Sequence, residues 1–329
     1  MSEQAALARE QLADRPMGRS AAMNFSDISP ALIDKLNGLE PHLHEVIRGQ
    51  DHVIPRVASV LQRGELGFTK ANRPKGSFLF LGPTGVGKTE LTLAFTHYLF
   101  GEEKVLRFDM SEYQTQESLA VLLGGRLGEE GTLGLAVKRA RFGTLLFDES
   151  EKAHPRVLDI LLQILDAARI TLATGETLDL SSFYVVLTSN LGAADVMQLQ
   201  HAPLATMERH VLAKAQRSFR PELFARITEN LVFGRLSYDV QLEIARQILA
   251  GELEFLAEKG LVLSCSPAVL PFLVQRGFHP RLGARPMRDA VEKYVRDAAS
   301  IACLYTTIAG AAELIVHQAA LCVRAKTAE

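Results

Sequence analysis

Between an apolar run, Ser77-Phe-Leu-Phe-Leu81, and an amphipathic segment from Glu90 to Phe100, the chain reads Gly82-Pro-Thr-Gly-Val-Gly-Lys-Thr89. Those residues match G-x-x-x-x-G-K-[ST] at every fixed position. The glycines let backbone N–H groups converge on phosphate oxygens, and the N-terminus of the helix that follows adds donors and a favourable dipole. A strand must therefore end, and a helix begin, on either side of the loop, as the flanking patterns do here. At average residue usage such a match arises by chance in roughly one chain of this length in a hundred; an ordinary Gly-rich turn is the competing reading. Gly82, Pro83, Thr84, Gly85, Val86 and Gly87 are expected to cradle the phosphates of ATP. Lys88 would reach the β- and γ-phosphates, and Thr89 would hold Mg²⁺.

Short apolar runs alternate with helical patterns on both sides of this loop. Val105 to Phe108, Thr144 to Asp148, Phe183 to Thr188 and Ile227 to Phe233 read as further strands, and Pro155 opens a helix. Helices are also expected upstream, from Pro30 onward, followed by a polar loop over Arg63 to Lys75. The alternation predicts an α/β fold: a five-stranded, mostly parallel sheet flanked by helices. After about Gly234 the pattern becomes mainly helical, over Leu236 to Lys259, Pro267 to Arg276 and Arg285 to Leu304, with a terminal hairpin at Leu314–Val316 and Leu321–Val323. The expected organisation is a mobile tail over 1–29, a large domain over 30–234 and a small helical domain over 235–329.

Asp148 and Glu149 follow an apolar strand, where a second phosphate-site element belongs. Asp148 would sit beside the Mg²⁺ shell and Glu149 would polarise an attacking water as general base. Half of such acidic pairs are merely solvated, so the pair gains its meaning from the phosphate loop. The net charge of −2 offers no electrostatic case for nucleic acid or membrane binding, and no basic stripe supports a nucleic-acid-directed ATPase. The apolar stretches are interrupted well before the ~20 residues of a membrane span, and the N-terminus lacks a secretory core, so a cytoplasmic protein is expected. Cys265, Cys303 and Cys322 lack metal-ligand spacing and read as buried free thiols of a reducing compartment.

Gly82 to Glu90, Asp109-Met-Ser-Glu112, Asp148-Glu-Ser-Glu-Lys-Ala-His-Pro155, Leu161-Leu-Gln-Ile-Leu-Asp166 and Thr188-Ser-Asn-Leu-Gly192 together resemble the C-terminal ATPase module of Clp-type AAA+ unfoldases such as ClpB and ClpA. Phe219-Arg-Pro-Glu-Leu-Phe-Ala-Arg-Ile227 and Gly283-Ala-Arg-Pro286 extend the match, which covers about residues 40 to 300. The resemblance implies the AAA+ P-loop NTPase fold with a small helical C-terminal domain. It implies that Asn190 is sensor 1, orienting water at the γ-phosphate. Arg226 resembles the arginine finger that reaches a neighbouring subunit's nucleotide, and Arg285 resembles sensor 2; surface solvation or salt bridging is the other reading of both. Val46, Ile47 and Gly49 resemble the segment around adenine, although the chain has Ile-Arg-Gly-Gln where Ile-Gly-Gln is usual. A finger acting in trans implies a homo-oligomer, a hexamer in this family.

Two departures bear on what such a ring does. The family threads substrate with a Gly-Tyr-Val-Gly loop, whereas Leu122 to Leu133 is shorter, carries no aromatic residue and places Arg126 about where the tyrosine belongs. Aromatic rings grip an extended peptide through apolar contact, while arginine favours acidic or planar groups. Leu191 to His210 holds no Ile-Gly-Phe or Ile-Gly-Leu tripeptide, so docking to a Clp peptidase is not expected. The sequence holds one ATPase module where ClpB and ClpA carry two and an N-domain. The expected function is Mg-dependent ATP hydrolysis in a single-ring oligomer that remodels or disassembles a protein partner. The alternative is a nucleotide-switched assembly component of a larger machine, without threading.

Overall fold

The computed structural model describes residues 28–125, 130–199, 202–279, 282–305 and 312–325. Arg126 and nearly all of the expected tail over 1–29 lie outside the described residues. Among the described residues three helices come first: α1 (Pro30–Asn37), α2 (Leu39–Val46) and α3 (Ile54–Glu65). Ser29 caps α1 by accepting from Leu32 N–H, and Pro30 occupies its first turn. α3 runs three residues into the segment expected to be loop, because Gly64 is buried beneath Tyr184 and its backbone stays in the helix.

β1 (Gly76–Leu81) leads through the phosphate loop to α4 (Lys88–Phe100). β2 (Val105–Asp109), α5 (Gln116–Leu123), α6 (Thr132–Ala140), β3 (Gly143–Asp148) and α7 (Pro155–Ala167) follow. A small hairpin, β4 (Arg169–Thr171) with β5 (Thr177–Asp179), precedes β6 (Phe183–Ser189). After it come α8 (Ala193–Gln198), α9 (Leu204–Ser218), α10 (Pro221–Arg226) and β7 (Glu229–Val232).

The main sheet has five strands in the order β2-β3-β6-β1-β7, and every recorded pairing in it is parallel. A parallel sheet needs both faces covered, so its central strands read as continuous apolar runs. In β1 the pleat sends Phe78 and Phe80 to one face and Leu79 and Leu81 to the other, all fully buried. Phe78 and Phe80 pack with Phe95 of α4 and Leu61 of α3; Leu79 and Leu81 pack with Phe147, Leu161 and Leu187. Each such aromatic or leucine side chain contributes about 1.5–3 kcal/mol through burial. The two clusters fix the sheet edge at which the phosphate loop emerges.

The remaining described residues form α11 (Tyr238–Glu258), β8 (Leu263–Cys265), α12 (Val269–Gly277), α13 (Met287–Tyr305), β9 (Ala312–His317) and β10 (Ala320–Ala325). The hairpin β9–β10 is antiparallel, and β8 joins it in parallel to make a three-stranded sheet. A third core, including Leu249, Phe272, Leu273, Val291 and Leu314, lies among these elements. The cysteines are free, but the expectation that they are buried is corrected: Cys303 is exposed on α13, and Cys265 and Cys322 are half-buried in edge strands of the small sheet.

Candidate active site

β1 delivers the chain to Gly82, whose N–H still reaches across the sheet to Ser189 O at 3.3 Å. Gly85 stands at φ 73°, and a Cβ there would lie 1.9 Å from Leu282 O. Only glycine fits because the turn formed by Leu282 to Arg285 docks on the loop, with Ala284 N–H donating to Gly85 O at 3.0 Å. Gly87 then opens α4 without any side-chain cap, so the first-turn N–H groups have no capping side chain and are oriented as an anion-binding terminus. Lys88 is buried. Its Nζ donates to Gly82 O at 2.6 Å, Pro83 O at 2.8 Å and Asn190 Oδ1 at 3.0 Å. Burial pushes its pKa down to about 8, against the upward pull of Glu151, Asp148 and Glu149.

Asp148 ends β3 and is buried. Its Oδ1 accepts from Thr188 Oγ1 at 2.7 Å and from Thr89 Oγ1 at 3.4 Å. Its Oδ2 is buried and accepts no hydrogen bond among the described residues, yet Arg107 Nε stands 2.6 Å away. That contact is an ion pair whose N–H is not aimed along a hydrogen-bond direction. A threonine hydroxyl beside a carboxylate with an oxygen short of donors suits a small hard cation. Thr89 and Asp148 therefore fit Mg²⁺ and are the residues that would hold it.

Glu149 adopts φ 56° and ψ 43°, a left-handed conformation that is costly for a non-glycine residue and clusters at functional sites. Its N–H donates to Thr188 Oγ1 at 3.2 Å, so one threonine aligns both acids. Glu149 Oε1 accepts from Asn190 Nδ2 at 3.4 Å, and Oε2 pairs with Lys152 Nζ at 2.5 Å. Asn190 follows β6, and its N–H donates to Glu151 Oε1 at 3.0 Å. Its Oδ1 also accepts from Thr84 Oγ1 at 3.3 Å. One amide thus touches the phosphate loop, Lys88 and Glu149.

The structure therefore brings Lys88, Thr89, Asp148, Glu149 and Asn190 together around the end of the sheet. Arg285 comes to the same place by its backbone, while its side chain is exposed. Ile47 is buried with its Cγ2 3.8 Å from where a Gly87 Cβ would stand, and Val46 beside it is half-buried. Gly49, at φ 72°, is packed against Val240 of α11. Arg226 ends α10, and its recorded ion pair is with Asp166 of α7 at 2.8 Å rather than with the phosphate loop.

Several participants were given no role from the sequence, although Gln50, Glu151 and Thr188 lie inside segments quoted for the resemblance. Gln50 is fully buried; its Nε2 donates to Val86 O at 3.3 Å and Gly234 O at 3.0 Å, and its Oε1 accepts from Gly234 N–H at 3.0 Å. Thr188 and Arg107 likewise act through contacts between strands, and Glu151 through the turn that follows β3. A cleft of about 690 Å³ lined by Tyr238, Phe272, Arg276 and Phe278 lies in the C-terminal part, among residues other than these.

A phosphate loop between the first strand and its helix, acids at the end of β3, an asparagine after β6, and a helical unit docked on the loop define the AAA class of P-loop NTPases. Residues 73–230 match the AAA domain (Cdc48 subfamily) family, and residues 236–316 match the C-terminal, D2-small domain of ClpB protein. The chain belongs to the Clp-type AAA+ ATPases, and its relatives are ClpB and heat shock protein 100 chaperones. The chaperone protein ClpB of Meiothermus ruber is 40% identical over 291 residues, covering 86% of this chain and 34% of the relative. Heat shock protein 100 of Trypanosoma brucei brucei is 40% identical over 270 residues, covering 80% of this chain and 31% of the relative. Among solved structures, a closed-state cryo-electron microscopy reconstruction of Hsp104 with ATPγS and FITC-casein superposes with a TM-score of 0.80 at 30% identity, over 90% of this chain and 52% of that one. The chain thus spans about a third of the length of the curated relatives it matches. Among the described residues, no helix is long and apolar enough to cross a membrane.

Proposed function

We propose that this chain hydrolyses ATP as a module of a homo-oligomeric ring and uses the turnover to remodel or disassemble a protein partner. The observation that carries the reading is Asn190, whose one amide joins Lys88 to Glu149. Lys88 and the first-turn N–H groups of α4 hold the phosphates in line. Glu149 accepts a proton from the attacking water, and Asn190 fixes the angle between that base and the γ-phosphate. Thr89 and Asp148 would hold Mg²⁺, which would supply charge neutralisation on the phosphate oxygens. Arg226 of one subunit reaches the nucleotide of the next, and Arg285 contacts it from the small domain. Val46 and Ile47 flank the adenine. We place the boundary between the large and small domains at residues 234–235, where Gln50 clasps Gly234, and the protein in the cytoplasm.

A protein client is supported by the casein in the Hsp104 reconstruction and by the chaperone relatives. A second reading rests on the segment from Leu122 to Leu133, which lacks any aromatic residue. On that reading the chain is a nucleotide-switched component of a larger assembly. The test is light scattering on Glu149→Gln, which should retain ATP but stall hydrolysis, with and without ATP and FITC-casein. An ATP-dependent shift to about six subunits that retain casein supports remodelling. A persistent monomer that ignores casein favours the switched component. Replacing Arg126 separates them again: remodelling lost with turnover intact belongs to the first reading, and no effect to the second.

A further inference from the structure

Arg107 was not among the expected site residues, yet it stands on the Mg²⁺-side acid. It lies in β2 opposite Leu146, and the pleat puts Asp148, two residues on, on the same face of neighbouring β3. Its Nε is 2.6 Å from Asp148 Oδ2, the buried oxygen that accepts no hydrogen bond among the described residues. The other oxygen is already engaged by Thr188 and Thr89. The Arg107 side chain is 54% exposed, whereas that of Asp148 is 7% exposed. A half-solvated cation thus rests on a buried anion, and water can solvate the guanidinium once another cation compensates the carboxylate.

We propose that Arg107 is a built-in counter-cation of the metal site, setting the Mg²⁺ concentration at which nucleotide is held tightly. The inference rests on the nucleotide reading above. Asp148 Oδ2 would be shared between the guanidinium and a hydrated Mg²⁺. The two positive charges, held a few ångströms apart through partly wet surroundings, repel enough to weaken metal binding by about tenfold. Occupation of the metal site then favours release of Arg107 into solvent. Mg²⁺ affinity and the position of this side chain are two views of one equilibrium.

The experiment measures the affinity of a fluorescent ADP analogue for the whole chain across a Mg²⁺ titration and in EDTA. Arg107→Gln should lower the half-saturating Mg²⁺ about tenfold, while affinity in EDTA changes less than about threefold. Arg107→Lys keeps a charge at the same strand position and should stay within about threefold of the parent. An unchanged or raised Mg²⁺ requirement in Arg107→Gln overturns the proposal. If that variant unfolds, as judged by its thermal melt, Arg107→Met and Arg107→Lys decide it by the same difference in Mg²⁺ midpoint. Failure of the parent chain to bind the analogue at any Mg²⁺ concentration instead overturns the nucleotide reading, a result distinguishable from a Mg²⁺ midpoint that does not move.

Discussion

Lys88 shows how one side chain can carry both the strain and the chemistry of the site. Its ammonium is buried among three oxygen acceptors, and burial outweighs the nearby acids in setting its pKa. In the unfolded chain it holds its proton up to about 10.5, in the folded chain only to about 8. Between those values the unfolded state binds more protons, so this group makes stability climb as pH rises, with a cost of roughly 3 kcal/mol fully present below pH 8. Compared with Lys88→Met, the unfolding free energy of the parent should improve by about 2–3 kcal/mol between pH 7.5 and 10 in urea melts without nucleotide. A difference that stays flat across that range removes the claim. The phosphates of a nucleotide restore the charged form, so binding at pH 8.5 should take up about 0.7 proton, and at pH 6.5 almost none. Calorimetry in two buffers of different ionisation enthalpy reads this uptake.

At the scale of elements, the phosphate loop is held from both ends by partners far away in sequence. Gln50, after α2, spans Val86 and Gly234 with three hydrogen bonds and no exposure. Gln50→Leu leaves Gly234 N–H and two carbonyls without these partners, and should cost about 2–4 kcal/mol, with weaker nucleotide binding. Gln50→Glu keeps the acceptor for Gly234 N–H but faces a carboxylate toward two carbonyl oxygens, and should be worse at pH 8 than at pH 5. Urea melts at both pH values check the order. The elements themselves were largely legible, because buried parallel strands are written as unbroken apolar runs and helices by their spacing. What was not legible follows from length and distance. β4 and β5 are three residues each and pair only across a Leu172–Gly175 turn, and β8 is three residues whose pairing partner β9 lies far along the chain. In the site, a known motif marked Lys88, Thr89, Asp148, Glu149 and Asn190. Gln50 sits in a segment quoted for the resemblance but without a role of its own, and Arg107 looks like an ordinary surface residue, until the fold sets Val86 and Asp148 beside them.

For the whole molecule, the decisive question is whether one chain suffices for catalysis. Arg226 is half-exposed and paired with Asp166, which also lies 3.7 Å from Arg73. An arginine tethered to α7 in its own subunit is presented outward, and a finger in trans needs that presentation. Arg226→Ala should bind nucleotide within about twofold of the parent and lose about a hundredfold or more in turnover. Loss alone does not separate a trans finger from a residue that merely props α7 and α10, so a mixing experiment is needed. Arg226→Ala subunits keep an intact site and lack the finger; Glu149→Gln subunits keep the finger and have a stalled site. Neither turns over alone. In a ring assembled at random from equal amounts, half the subunits have intact sites and half of those meet a finger-bearing neighbour. Activity should therefore return to roughly a quarter of the parent's per subunit. If Arg226 acts within its own chain, the mixture stays as inactive as its parts, because no subunit then holds both groups. The same mixture with Lys88→Ala in place of Glu149→Gln asks whether the neighbour must also hold nucleotide for its finger to be presented. Recovery there would mean that the ring interface forms without it, whereas silence would tie assembly to the phosphate loop.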